Sequence, residues 1–193
     1  GTTRVRIEVF MQLNPVHLSV AKLLQGRLFR IPEYQRAYSW QKRQREDLFA
    51  DIREAERSGR EHFMATLVEL VDFQQRVTTL VILLKAIEKR LSAEDKAEAK
   101  IKGELSTLLV KGDDHNLVLL QTNHDSSDVF AQYVRTGSLK RKAVMTASDA
   151  NLVNAADECE RFVEEWMSTK SLPDLVSTIR HRLSMISHEL GDE

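Results

Sequence analysis

The sequence predicts an α+β fold: a small sheet core that carries a mostly helical C-terminal extension. Three observations lead there. Runs with period-two alternation or β-branched character fall at 4–10, 28–31 and 61–71, all in the first half of the chain. From Gln74 onward the apolar residues recur at helical spacing, with Val77, Leu80, Val81, Leu84, Ile87 and Leu91 on one inward stripe. A chain of 193 residues is also long enough to bury a sizeable core. The expected division is a core over 1–92 and a helical extension over 93–193 packed on it, either as two units or as one continuous domain.

In chain order, Arg4 to Phe10 alternates polar and apolar residues, as a half-buried strand or an extended arm does. Asn14-Pro15 supplies a cap and a first-turn proline for a short helix over Val16, Val20, Leu23 and Leu24, stopped by Gly26. Leu28 to Ile31 is a short strand closed by Pro32. Ser39 is a cap for a helix from about Gln41 to Ser58, with a narrow stripe of Leu48, Phe49 and Ile52, and Gly59 ends it. Glu61 to Val71 reads as the strongest strand. It runs straight into Asp72 without a return turn, so it is either one continuous strand or the place of a hairpin missing from the sequence.

A long helix follows from Gln74 to Leu91, and Ser92-Ala93-Glu94-Asp95 starts a second over Lys96 to Leu109. Gly112-Asp113-Asp114 is a turn, Asn116 to Gln121 a short buried strand, and Asp125 to Val134 a short helix before Gly137. Lys140, Arg141 and Lys142 sit in a surface loop. Two helices, about Ser148 to Thr169 and Leu172 to Leu190, close the chain as a hairpin. In it Val153, Ala156, Phe162, Val163 and Trp166 face Leu175, Ile179, Leu183 and Ile186.

Composition narrows the function. With 28 Lys+Arg against 29 Asp+Glu there is no global basic field, so a nucleic-acid contact needs a local patch. The single Cys159 excludes a disulfide framework within one chain and points to a reducing, cytoplasmic setting. No apolar run approaches 18 residues, which argues against a membrane span.

Two stretches hold more chemistry than packing needs. From Asp72 to Thr79 the start of the expected long helix carries Gln74, Gln75, Arg76, Thr78 and Thr79 behind Asp72 as its N-cap. The first turn of a helix has unpaired N–H groups and attracts anions, so a phosphate site belongs here. The plain alternative is a capped helix whose Arg76 makes a salt bridge. Between Pro32 and Trp40, Tyr34, Gln35, Arg36, Tyr38 and Trp40 form an expected recognition loop, with aromatic plugs beneath an ordinary loop as the other reading.

Together these stretches carry a resemblance. Phe29-Arg30-Ile31-Pro32-Glu33-Tyr34-Gln35-Arg36-Ala37-Tyr38-Ser39-Trp40, followed by Gln44, Leu48, Asp51 and Ile52, resembles the opening motif of the GmrSD-type N-terminal domain. His62-Phe63-Met64-Ala65 and Asp72-Phe73-Gln74-Gln75-Arg76-Val77-Thr78-Thr79-Leu80 are similar to that family's strand and its D-G-Q-Q-R-x-T-T-L signature.

The resemblance implies a small mixed-sheet core like that of ParB and sulfiredoxin. It implies a domain that binds a nucleoside triphosphate, GTP or another, with magnesium as a companion ion, and that hydrolyses it in the active members. Tyr34, Gln35, Arg36, Gln74, Arg76 and Thr78 are then the nucleotide-binding set, and Asp72, Gln75 and Arg76 the catalytic set. The implied setting is an anti-phage restriction system acting on modified DNA, beside a C-terminal HNH-type nuclease domain or subunit; apart from the resemblance, a homo-oligomer is one possible assembly. Phe73 and Ala65 stand where the family has glycine. A side chain at such a point bars close approach of the backbone to a phosphate, so binding is expected more firmly than hydrolysis. The alternative is a non-catalytic DNA-binding or structural interaction module with a degenerate pocket, in which Tyr34, Tyr38 and Trp40 stack on bases. His115, His124, His181 and His188 form no nuclease or zinc pattern, so no cutting of DNA is expected from this chain alone.

Overall fold

The computed structural model describes residues 15–21, 37–60, 62–66, 70–109, 127–139 and 145–188; for 15–18, 62–66, 70–74, 127–128 and 184–188 the description is of the backbone only. The expected strands at 4–10, 28–31 and 116–121, the turn at 112–114 and the basic run at 140–142 lie outside the described residues. So do Tyr34, Gln35 and Arg36.

The elements are β1 (Pro15–Ser19), α1 (Lys42–Ser58), β2 (His62–Thr66), α2 (Leu70–Arg90), α3 (Lys96–Leu109), α4 (Ser127–Thr136), α5 (Ala147–Met167), α6 (Leu172–Ser177), a single π-turn (Thr178–Arg182) and β3 (Leu183–His188). This overturns the expected mixed-sheet core. Of the residues described with their side chains, 79 % are helical. The buried cluster is drawn from α1 to α6 and the π-turn, joined by Val20, Tyr38, Trp40, Leu91 and Leu183.

The reason lies in α2. Every residue from Val77 to Glu88 is buried. The contiguous run Leu80-Val81-Ile82-Leu83-Leu84 covers the whole circumference of a helix, and a helix apolar all round must be surrounded. It is surrounded here by α3, α4, α5 and α6, all of which pack on it. Reading a single stripe of Val77, Leu80, Val81, Leu84 and Ile87 therefore understated the helix. Its two buried charges, Lys85 and Glu88, lie 2.7 Å apart, and Ser106 and Lys102 of α3 add hydrogen bonds to Glu88. Burial opposes the Glu88 charge, but Lys85, Ser106 and Lys102 outweigh it and hold the carboxyl below its usual range.

The strands form one small sheet in the order β1-β3-β2, with β1 antiparallel and β2 parallel to β3. Its central strand comes from the C-terminal segment, so it is not the self-contained product of residues 1–92. Three local expectations change with it. Pro15–Ser19 is a strand rather than a helix, because β3 offers it a pairing edge from Pro15↔His188 to Ser19↔Ser184. The strand expected over Glu61 to Val71 ends at Thr66, and Leu70 and Val71 already belong to α2. The expected last helix, Leu172 to Leu190, stops after α6 and the π-turn and becomes β3. Leu175, Ile179 and Leu183 keep helical spacing up to the switch, and beyond it hydrogen bonding to strands on both sides overrides local preference.

Boundaries elsewhere follow local chemistry. Gly59 ends α1 and Gly137 ends α4, both left-handed with φ of 65° and 73°. α1 is capped by Gln41, whose N–H donates to Gln44 Oε1 at 2.9 Å, and not by Ser39. Thr146 caps α5, accepting from Asp149 N at 3.1 Å. Among the described residues no helix is long and apolar enough to cross a membrane.

The two glycines differ in surroundings. A Cβ at Gly137 meets Lys89 Cδ at 2.8 Å, whereas one at Gly59 meets nothing within 4 Å. Gly137→Ala is expected to cost about 2–3 kcal/mol, from backbone strain plus displacement of Lys89, and Gly59→Ala only about 1–2 kcal/mol of strain. Urea midpoints of the two variants check the order.

Candidate functional site

The two signature stretches meet in space. Gln75, 2 % exposed on α2, turns its side-chain amide onto the segment Ala37–Trp40. Its Oε1 accepts from Ser39 N at 2.7 Å and from Trp40 N at 3.3 Å, and its Nε2 donates to Ala37 O at 3.4 Å. One turn along, Thr79 Oγ1 lies 2.9 Å from the Tyr38 hydroxyl and donates to Gln75 O at 2.8 Å. An amide is suited to this task because it offers an acceptor and a donor in one plane, which is what a strand-like backbone presents. A carboxylate could only accept.

The same segment is gripped from two other helices. Arg45 of α1 donates to Trp40 O at 2.6 Å and to the Tyr38 hydroxyl at 3.5 Å. Its remaining nitrogens pair with Glu158 of α5 at 3.0 and 2.5 Å. Asn151 of α5 donates to Tyr38 O at 3.3 Å. Burial pulls the Arg45 guanidinium down, yet its hydrogen bonds to Glu158 and Tyr38 hold it above its ordinary value. Sequence reasoning missed Arg45, Glu158 and Asn151. A signal existed: Arg45 precedes Leu48, Ile52 and Ala55 at helical spacing, and all four are buried along one face of α1.

Arg76, the candidate for both binding and catalysis, rests with its guanidinium 5.4 Å from the centre of the Trp40 ring. Its Nη1 is 3.9 Å from Asp51 Oδ2, and its side chain is 12 % exposed. Arg76 thus sits beside the end of the Tyr38–Trp40 segment, together with Gln75. Thr78 is buried at 2 % exposure, two residues beyond Arg76 on the same helix. Asp72 and Gln74 are described by backbone alone. Because α2 begins at Leu70, Asp72 is a helical residue rather than the N-cap, and the unpaired first-turn amides belong to residues from Leu70 onward. Tyr38 and Trp40 are 2 % and 5 % exposed, so both are core side chains and neither is free to stack on a base.

Burial also sets an alkaline limit. Burial pushes the Tyr38 hydroxyl up to about 12, against smaller opposing effects of Thr79 and Arg45, and it raises Tyr133 and the Cys159 thiol as well. All three are neutral in the fold and titrate lower when unfolded, so their contribution is complete below the unfolded values of about 9 to 10 and is lost as pH rises above them. The urea midpoint is expected to hold between about pH 7 and 8.5 and to fall steadily from about pH 9 to 11, with Tyr38→Phe flattening the upper part of that fall.

These features define a class: a helical domain in which a glutamine on the central helix docks an aromatic loop segment and keeps an arginine beside it. The family model described as GmrSD restriction endonuclease, N-terminal domain, matches residues 20–193, and the chain belongs to that family. No curated protein and no solved structure matches it. That description is of the N-terminal domain of a restriction endonuclease, which makes the chain a restriction-system component.

Proposed function

We propose that this domain binds a nucleoside triphosphate and acts as the sensor of a cytoplasmic restriction system directed at modified DNA. One observation carries the reading: Gln75 fastens the segment that follows Tyr34, Gln35 and Arg36 onto the helix bearing Asp72, Gln74 and Arg76. The described end of the first motif, Ala37–Trp40, thereby lies against the helix that bears Arg76, which supports reading the two motifs as one polyphosphate site. First-turn helix amides, as at the start of α2, and a guanidinium such as that of Arg76 are groups of the kind that bind such an anion. Arg36 is the second expected cation, one residue before Ala37. A nucleotide would bring its own magnesium and a reactive γ-phosphate. Asp72 is the residue proposed to hold water or the ion, and Gln75 is moved from the catalytic set to clamping the loop.

Isothermal titration with GTP, ATP, CTP and UTP, with and without magnesium, tests this. Wild type is expected to release heat with at least one of them, and Arg76→Ala or Arg36→Ala to weaken that binding about 10- to 100-fold, the worth of a charge-assisted hydrogen bond. Silence from wild type with all four nucleotides removes the proposal. Phosphate release then separates hydrolysis from binding alone, where Phe73 in place of glycine favours binding alone.

A further inference from the structure

Arg45 has 2 % of its side chain exposed, and its partner Glu158 has 11 %. A buried ion pair of this kind adds little net stability, since apolar residues of the same volume would serve as well. What it adds is geometry. The planar guanidinium has donors in fixed directions, and here they are divided between Glu158, the Trp40 carbonyl and the Tyr38 hydroxyl. Gln75 holds the N–H of Trp40 from α2 while Arg45 holds its C=O from α1. Both peptide units that flank Trp40 are therefore fixed, by two different helices. Glu158 in turn fixes the guanidinium from α5, so the conformation of Tyr38–Trp40 depends on the mutual arrangement of three helices. Trp40 is also the ring on which the Arg76 guanidinium lies.

We propose that Arg45, oriented by Glu158, is the positioning residue that sets the Tyr38–Trp40 segment and through Trp40 the Arg76 guanidinium; its consequence for ligand affinity rests on the nucleotide reading given above. Neither side chain is assigned a contact with the ligand. Lysine cannot replace Arg45, because a single ammonium cannot reach the carboxylate, the carbonyl and the hydroxyl in one plane.

The test compares wild type, Arg45→Lys and Glu158→Gln, the last of which removes the charge that draws the Arg45 guanidinium while keeping the side-chain size, and serves if the first does not fold. Two readouts are taken: amide hydrogen exchange at Ser39 and Trp40 relative to the centre of α2, and titration with the nucleotide that wild type binds. The expected result is exchange at Ser39 and Trp40 about tenfold faster or more, exchange at the centre of α2 unchanged, and nucleotide affinity about tenfold weaker. Unchanged exchange at those two amides in a folded variant overturns the proposal. So does faster exchange spread evenly over α2, which is the mark of general destabilisation. If wild type binds no nucleotide while Glu158→Gln still releases Ser39 and Trp40, the positioning role stands and the nucleotide reading fails.

Discussion

Gln75→Ala is expected to lower stability by about 3–5 kcal/mol, the cost of stranding buried polar groups added to that of a small cavity. In the fold the Gln75 amide satisfies Ser39 N, Trp40 N and Ala37 O, and the residue is 2 % exposed, so water cannot take over those bonds without opening the core. In a protein of this size such a loss lowers the melting temperature by about 10 °C. Gln75→Glu is expected to be comparably harmful, since it keeps the acceptor for two N–H groups but loses the donor to Ala37 O and buries a charge. Thermal and urea unfolding decide the matter: a glutamine whose task were confined to a bound nucleotide would leave the unliganded midpoint where it is in wild type. Binding of nucleotide is expected to weaken in the same variants, because the clamp fixes the segment next to Arg36.

Leu84→Ala is expected to cost about 3–5 kcal/mol, the range for a buried leucine whose site cannot collapse. Leu84 is 0 % exposed near the middle of α2, with α3, α4, α5 and α6 packed around that helix. The helix is enclosed, so no neighbour can shift into the space without breaking contacts on its other side. Met167→Ala, at the 38 % exposed end of α5, serves as the control and is expected to stay within about 0.5 kcal/mol of wild type. Urea denaturation of both variants measures the difference. A Leu84→Ala loss below about 1 kcal/mol would place the stabilising core elsewhere and reopen the question of the small sheet.

The two expectations about helices and sheet fared differently for physical reasons. α1, α3 and α5 were legible because their apolar stripes repeat at helical spacing and their ends carry local signals: Gly59, the Ser92–Asp95 start, and the residues beside Thr146. The buried faces of α5 and α6 were legible too, with Val153, Ala156, Phe162, Val163 and Trp166 in the core beside Leu175 and Ile179. β3 was not legible. Leu183 and Ile186 continue a helical spacing, and only the edges offered by β1 and β2 turn that segment into a strand.

The candidate site divides in the same way. Residue chemistry alone marked Tyr38, Trp40, Gln75 and Arg76 as more than packing, since amide, guanidinium and aromatic groups were concentrated in two short stretches. What each does was beyond the sequence. Tyr38 and Trp40 became core side chains and Gln75 became a clamp because partners 35 to 41 positions away lie against them. Arg45 and Glu158, 113 positions apart, were not singled out in the sequence, and their pairing is visible only where the helices bring them together.

Local periodicity and end signals therefore determined where α1, α3 and α5 lie and where the chemistry of this chain is concentrated, because both depend on neighbours within a few residues. Tertiary structure alone decided that α2 is enclosed, that the C-terminal segment supplies the central strand, and that a glutamine, an arginine and a glutamate hold the loop. Those outcomes depend on which unpaired backbone groups and buried charges find partners across the fold, and such pairings leave no periodic trace in the sequence.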